Sequence, residues 1–227
     1  MKKRFLSFGL LALTSVLAQA QVTLITRAGV SLATIQATSA GPDRQYAAGW
    51  VGGAGLNLPL RKSQFVSLQP EVLFAQKGFR MNGDRHVHNY LEVPLLLKVS
   101  LKREGLQTYL TAGPTAGFLL GGVYPPAGGA PGQVRPDDLA LRMGDVLDGL
   151  PPWSSYAPAT ALNRLELGFQ VGLGTGLALG RGTALAELRY GHGLTPFFRT
   201  EGPETANRFT NRAFSLTLGY ALPLGRM

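Results

Sequence analysis

Ionisable residues recur inside segments that are otherwise strongly apolar. In Asn163–Leu179, Leu165 and Phe169 occupy one set of alternate positions, and Glu166 and Gln170 occupy the other. Because side chains alternate between the two faces of a β-strand, this spacing gives each strand one apolar face and one charged face. Charges enclosed on such a face can form ion pairs, or they can line a path for ions or a ligand. The residues predicted to face one polar interior are Arg27, Glu71, Glu92, Lys98, Arg164, Glu166, Glu187 and Arg189.

Histidines offer two further chemical possibilities. His86 and His88 stand two residues apart beside Asp84, so that in a strand they share a face and are weak candidates for metal ligands. His192 follows Tyr190 on the opposite, apolar face. A lipid hydrolase would need a serine and an acid beside such a histidine, and the sequence indicates neither.

Motifs for common catalytic and cofactor sites are absent. The chain has no Gly-Lys dipeptide, which excludes a phosphate-binding Walker loop, and it has no HExxH motif or calcium-binding EF-hand loop. We therefore predict no catalytic residue and no cofactor, and we name no metal site beyond the weak histidine pair.

Eight alternating segments would position these residues. The mean hydropathy of the whole chain is only +0.08, which is low for a membrane protein. Half of each segment is polar, and this accounts for the low value. Each segment is long enough to cross a bilayer as a tilted strand of about ten residues. We predict an all-β fold, an eight-stranded antiparallel up-and-down transmembrane barrel; the alternative is a soluble lipocalin-like barrel with its Leu and Phe inside. The predicted strands are Leu24–Ile35, Ala47–Leu58, Phe65–Lys77, Asn89–Leu101, Gln107–Leu120, Asn163–Leu179, Ala184–Gly193 and Arg212–Leu222.

Connections between these strands alternate between short and long. Three are short turns, as expected on the periplasmic side, and four are longer, as expected outside. The longest, Gly121–Leu162, is rich in Pro and Gly, and its part Pro136–Leu147 could form a short amphipathic helix. The short connections are Pro59–Gln64, Lys102–Leu106 and Gly180–Thr183, and the other long ones are Gln36–Tyr46, Phe79–His88 and Leu194–Asn211.

The N-terminus predicts export. Residues 1–20 combine a basic start, an apolar stretch and the small-x-small sequence Ala18–Ala20, as in a cleaved Sec-type signal peptide. Residues 21–227 would then be a single barrel domain. Removing the three basic residues of the signal from the 22 Lys and Arg leaves 19 against 13 Asp and Glu, a mild excess without a basic stripe, so no nucleic-acid partner is predicted. There is no cysteine, hence no disulfide.

Charge balance inside the barrel favours a closed lumen. The eight predicted lumenal residues comprise four cations and four anions. An eight-stranded barrel is just wide enough for side chains to fill it, and unpaired buried charge is costly. Glu187 and Arg189 would lie opposite two of the glycines Gly172, Gly174 and Gly176, which leave room for long side chains. Aromatic residues predicted for the membrane interfaces are Trp50, Phe65, Phe79, Tyr90, Phe118, Tyr190, Phe197, Phe198 and Phe214.

Four motifs resemble a known family. The segments PEVLFAQKGF (Pro70–Phe79), YLEVPLLLK (Tyr90–Lys98), TAGPTAGFLL (Thr111–Leu120) and RYGHGL (Arg189–Leu194) are similar in order and spacing to Bacteroidetes-type outer-membrane β-barrel proteins, often called PorT-like or porin-family proteins. The resemblance implies an eight-stranded barrel in the outer membrane of a Gram-negative cell, and it implies no particular activity.

Partners follow from the same resemblance. Outer-membrane lipid would surround the barrel, and the barrel-assembly machinery would insert it. In the family the last strand usually ends on an aromatic residue, whereas here Leu222 and Pro223 follow the last aromatic, Tyr220. We predict a non-enzymatic barrel whose outer loops bind a surface partner or support envelope integrity. The alternatives are a small channel for ions or hydrophilic solutes and, through His192, a lipid-modifying enzyme.

Overall fold

Eleven strands run through the part of the chain that the computed structural model describes, residues 22–37, 44–60, 65–81, 84–103, 105–124, 132–134, 159–200 and 209–224. The predicted signal peptide and the predicted helix Pro136–Leu147 lie outside the described residues. The strands are β1 (Thr23–Ala37), β2 (Gln45–Pro59), β3 (Val66–Met81), β4 (Asp84–Arg103), β5 (Leu106–Tyr124), β6 (Gly132–Val134), β7 (Ala159–Leu162), β8 (Leu165–Leu179), β9 (Gly182–Gly193), β10 (Phe198–Thr200) and β11 (Phe209–Pro223).

The eight long strands close into one antiparallel barrel. Each pairs with its neighbours in chain order, β1 to β5 and then β8, β9 and β11. Closure comes from β1 and β11, which pair from Thr23 opposite Pro223 to Ala37 opposite Phe209. The eight-stranded up-and-down barrel predicted from the sequence is therefore confirmed.

The two ends of the barrel differ. One end, here called the short-turn end, carries the connections at 60–65, 104–105 and 180–181. There Leu179 lies opposite Gly182, and Gly180 takes a left-handed φ of 57°, which glycine adopts without steric cost. The opposite end, the long-loop end, carries the other connections. Two of these are tied together where β7 pairs with β10.

One predicted loop is wrong. The segment Phe79–His88 is not a long connection, because β3 continues to Met81 and β4 begins at Asp84. Phe79, His86 and His88 are all buried on the inward face, and Val87 between the two histidines is buried as well. Burying these three rings in the barrel favours continued strand pairing over a loop. The predicted loop Gly121–Leu162 likewise contains the end of β5, which pairs with β6.

Apolar side chains face outward and charged ones inward. Along β4, Leu91, Val93, Leu95 and Leu97 are 40–47% exposed, whereas Glu92 among them and Lys98 just after them are buried. This is the reverse of a soluble lipocalin-like barrel, so that alternative is wrong. No helix in the described ranges is long and apolar enough to cross a membrane.

Candidate functional site

Seven of the eight predicted lumenal charges lie inside the barrel. The exception is Arg164, which is exposed because it precedes the first residue of β8 at the long-loop end. An eighth charge, Lys77, joins them inside. It shares its parity on β3 with buried Glu71 and Ala75, so the alternation alone could have identified it. The predicted residues that are buried are Arg27, Glu71, Glu92, Lys98, Glu166, Glu187 and Arg189.

Four of these residues form a closed charge quartet: Arg27, Glu71, Glu187 and Arg189. Arg27 contacts Glu71 at 2.9 Å and Glu187 at 2.6 Å. Arg189 contacts the same two carboxylates at 2.6 Å each. The side chains come from β1, β3 and β9, so the quartet links three separated parts of the wall. Two cations and two anions balance, which is the condition under which buried charges are tolerated.

Neutral side chains complete the quartet. The Thr111 hydroxyl donates to Glu187 Oε1 at 2.9 Å and the Tyr109 hydroxyl to Glu187 Oε2 at 3.2 Å. Gln69 Nε2 donates to Glu71 Oε1 at 2.7 Å. Each carboxylate therefore accepts hydrogen bonds in addition to its ion pairs, as a dry polar network requires.

Glycines make room for these side chains. Gly172 lies opposite Arg189 and Gly174 opposite Glu187, which confirms the predicted glycine pairing. A Cβ atom on Gly172 would lie 2.7 Å from Glu187 Oε1, closer than van der Waals contact. A Cβ atom on Gly174 would overlap the ring of Tyr109.

A second layer, the lysine bridge, consists of Lys77, Glu92 and Glu166. Lys77 Nζ lies 2.6 Å from Glu92 and 2.5 Å from Glu166, so one amine joins β3 to carboxylates on β4 and β8. Gln170 Nε2 donates to Glu92 at 3.1 Å, and Asn211 Nδ2 donates to Glu166. With one cation and two anions, this layer carries a formal charge of −1.

Lys98 stands apart from both layers. It is 3% exposed, and its ammonium group lies 3.9 Å from the centre of the Tyr109 ring, a cation–π contact. No ion pair joins it to a carboxylate within the described residues. Its formal charge of +1 offsets the −1 of the lysine bridge, so the lumen as a whole is neutral.

A small cavity separates the quartet from the lysine bridge. The cavity has a volume of about 40 Å³, which is room for roughly three water molecules. Thr115 Oγ1 and Gln170 Oε1 belong to residues lining it, are buried, and have no hydrogen-bond partner. Unpartnered oxygens beside a polar cavity are the usual setting of ordered water.

Aromatic and histidine rings stack inside the lumen at the long-loop end. His88 stacks on Phe197 with ring centres 4.4 Å apart, and His86 stacks on Phe79 at 4.8 Å. These four residues form the aromatic cap. Within the described residues, no group of three His, Cys, Asp or Glu is arranged to hold a metal; the two predicted metal candidates are instead buried among phenylalanines.

For three residues, the predicted position at the membrane interface is wrong. Phe79, Tyr90 and Phe197 are at most 3% exposed, because they point into the lumen. Trp50 and Phe214 do face outward, at 66% and 42% exposure. Phe65 and Phe118 are also exposed, and the side chain of Phe198 is outside the description.

His192 remains on the outward side, as predicted. Its Nδ1 lies 3.4 Å from the Tyr190 hydroxyl, and Tyr190 packs on Phe214 with ring centres 5.0 Å apart. Arg212 on β11 and Phe169 on β8 lie directly opposite His192, so its neighbours on the outward face are both aromatic and cationic.

The order along β3 summarises the stack. From the short-turn end, its inward positions include Glu71 of the quartet, Leu73, Ala75 at the cavity, Lys77 of the bridge and Phe79 of the cap. At the short-turn end itself, Ile25, Tyr109, Leu185 and Ala221 form an apolar cluster. Side chains therefore occupy successive levels of the lumen from end to end.

Comparison with protein-family profiles identifies the family of this barrel. The profile of the outer membrane protein beta-barrel domain family matches residues 17–199. The chain belongs to that family. Membership places it in the outer membrane of a Gram-negative envelope. The match ends before β11, the strand that closes the barrel on β1.

Two solved structures are similar to this barrel. Neisserial surface protein A (NspA) matches with a TM-score of 0.50 at 9% identity, covering 88% of this chain and 97% of that one. The outer membrane protein OprG from Pseudomonas aeruginosa matches with a TM-score of 0.47 at 12% identity, covering 90% and 97%. Comparison with curated protein sequences gave no match. At such identities, likeness to NspA shows the fold alone.

Proposed function

We propose that this protein is a non-enzymatic outer-membrane barrel with a closed lumen, which serves as a rigid scaffold for its long-loop end. The main support for a closed lumen is the charge quartet, which joins β1, β3 and β9 across the interior with four ion-pair contacts of 2.6–2.9 Å. A hydrated ion would have to break several of these contacts to pass. The lysine bridge and the aromatic cap add two further barriers on the same path.

Planar-bilayer recording tests closure. The refolded chain without residues 1–20 is added to a membrane in potassium chloride, and its folding is checked by heat-dependent electrophoretic migration. The proposal expects no discrete current steps. Steps of stable size from folded protein would overturn it and favour the alternative, a small channel for ions or hydrophilic solutes.

The long-loop end is the proposed functional surface. There β6 adds to the sheet beside β5, and β7 with β10 joins two separate connections. Such a platform suits binding of a surface partner or support of envelope integrity. Cells displaying the full chain are compared with cells displaying a chain in which residues 135–158 are replaced by a short Gly-Ser linker. Equal adhesion to immobilised glycans and proteins, with equal permeability to a fluorescent probe, would contradict this role.

We also infer the biogenesis of the chain from its sequence. Residues 1–20 are proposed to direct Sec-type export, and the barrel-assembly machinery is proposed to insert the eight long strands into lipid. The four motifs beginning with Pro70–Phe79 support a narrower kinship with PorT-like proteins. Cleavage before Gln21, read by N-terminal sequencing of the outer-membrane fraction, tests the first inference.

A further inference from the structure

Basic residues collect at the short-turn end. Four strands run towards this end, and on each an exposed leucine near the end of the strand is followed within two residues by Arg or Lys. The stretches 60–65, 102–106, 180–183 and 224–227 together contain six basic residues and one acid, an excess of five. These turns therefore carry far more positive than negative charge. The four pairs are Leu60 with Arg61, Leu101 with Lys102, Leu179 with Arg181 and Leu224 with Arg226.

Two of these turns are adjacent and form a cavity between them. Strand β5 pairs with β8, and the backbone amide of Ala178 donates to the carbonyl oxygen of Gly105 at 3.3 Å. The turn after Arg103 therefore lies beside the hairpin that carries Arg181. The cavity has a volume of about 240 Å³. Its lining includes four polar side chains that can donate hydrogen bonds, Lys102, Arg103, Gln107 and Thr183.

The two arginines have no acidic partner in the part of the chain that the structure describes. Arg103 and Arg181 are both exposed. Of the five acids in that part, four belong to the quartet and the lysine bridge, and Asp84 lies at the long-loop end. Glu104, which follows Arg103 in sequence, lies outside the described residues. The two cations are thus positioned to attract an anion from outside the protein.

Depth in the membrane narrows this anion to a lipid headgroup. Leu101 and Leu179 are the last outward apolar residues of β4 and β8, at 65% and 58% exposure. Arg103 lies two residues beyond Leu101, which is about 5 Å further from the bilayer centre at about 3.4 Å per residue and a tilt of about 40°. Arg181 follows Leu179 by the same interval in sequence. The headgroup layer of a leaflet is about 5–8 Å thick, so the guanidinium groups lie within it.

We propose that Arg103, Arg181 and the cavity between their turns bind the headgroup of an anionic phospholipid of the phosphatidylglycerol class in the periplasmic leaflet. The planar N–H donors of the guanidinium groups suit two-point contact with the oxygens of the headgroup phosphate. Gln107 and Thr183 add an amide and a hydroxyl that suit the hydroxyl groups of the headgroup. The exposed leucines that precede the arginines lie at the level of the acyl chains. The site does not depend on closure of the lumen.

Lipid binding to purified barrels tests the site. Folded protein in detergent is titrated with phosphatidylglycerol, and bound lipid is counted by native mass spectrometry. We expect Arg103→Gln/Arg181→Gln to weaken binding by about tenfold or more, because each basic residue at a lipid surface adds to the attraction. The matched control, Arg80→Gln/Arg85→Gln, removes two exposed arginines at the long-loop end and should change binding less than about twofold. Heat-dependent electrophoretic migration checks that each variant is folded.

Several results would overturn the site. Equal binding by wild type and Arg103→Gln/Arg181→Gln would do so, as would an equal loss in the control pair, which would show a general charge effect. Phosphatidylethanolamine, whose ammonium group balances its phosphate, should bind wild type as weakly as phosphatidylglycerol binds the variant; unchanged affinity would exclude recognition of negative charge. If water-soluble glycerophosphoglycerol bound the arginines as tightly as the lipid, the assignment to a membrane lipid would be wrong.

Discussion

The charge quartet and the lysine bridge use the same kinds of side chain but differ in balance. In the quartet, two arginines meet two glutamates, and Thr111 and Gln69 satisfy further oxygens. In the bridge, Lys77 alone meets two glutamates beside a cavity with unpartnered oxygens. The quartet therefore balances its charges within itself, whereas the bridge carries one excess anion and lines the cavity.

Breaking the quartet should have the largest effect. Glu187→Gln leaves Arg27 and Arg189 with one carboxylate between them, and removing one partner of a buried pair costs about 3–5 kcal/mol. The free energy of unfolding, measured by guanidinium titration in phospholipid vesicles, should fall by that amount. Asp84→Asn, an exposed acid, is the matched control and should change it little. A loss under about 1 kcal/mol for Glu187→Gln would mean that the quartet contributes no more than a surface pair.

Breaking the bridge should cost less. Lys77→Met leaves Glu92 and Glu166 close together, but cavity water can solvate them, so we expect about 3 kcal/mol, the lower end of the range for a buried pair. The same titration measures it, with Lys102→Met at the exposed short-turn end as control. A larger loss than that of Glu187→Gln would reverse the contrast between the layers.

The third-largest loss of unfolding free energy is expected from added side-chain volume beside the quartet. A methyl group at Gly174 overlaps the Tyr109 ring, and overpacking costs about 1–3 kcal/mol; Gly174→Ala should lower stability accordingly. At Gly191, also in the barrel wall, the closest atom to a Cβ would be 3.6 Å away, so Gly191→Ala should be nearly neutral. Equal effects of the two substitutions would show that space inside the barrel is not limiting.

Lys98 should give the smallest effect. It lacks a carboxylate partner among the described residues, and loss of its cation–π contact is offset by removal of a buried charge. Lys98→Met should therefore change the unfolding free energy by less than about 1 kcal/mol. A loss as large as that of Lys77→Met would show that Lys98 belongs to the ion-pair network.

Strand alternation predicted the barrel and most of its interior because each inward position follows from parity alone. Arg27, Glu71 and Glu187 are separated by 44 and 116 residues, yet all were predicted to face inward. Which charges pair depends on the register between non-adjacent strands and on side-chain reach across the lumen. The sequence therefore could not separate the quartet from the bridge.

Strand ends were harder to predict than strand faces. Arg164 has the parity of Glu166 but lies just outside β8, where the wall no longer encloses it. Phe79 and His88 were predicted to lie in a long connection, whereas in the structure their rings pack together inside the barrel and β3 and β4 extend to Met81 and Asp84. Packing between strands, which parity does not encode, decides where the barrel stops.

Accessibility of the central cavity tests lumen closure most directly. The chain has no cysteine, so Thr115→Cys places a single thiol in the wall of the cavity, between quartet and cap. A charged, membrane-impermeant methanethiosulfonate reagent is added to the folded protein in vesicles, with Arg181→Cys at the exposed turn as the reference. The closed lumen predicts modification of Thr115→Cys at least a hundredfold slower than the reference. Comparable rates would show a continuous water path and contradict closure.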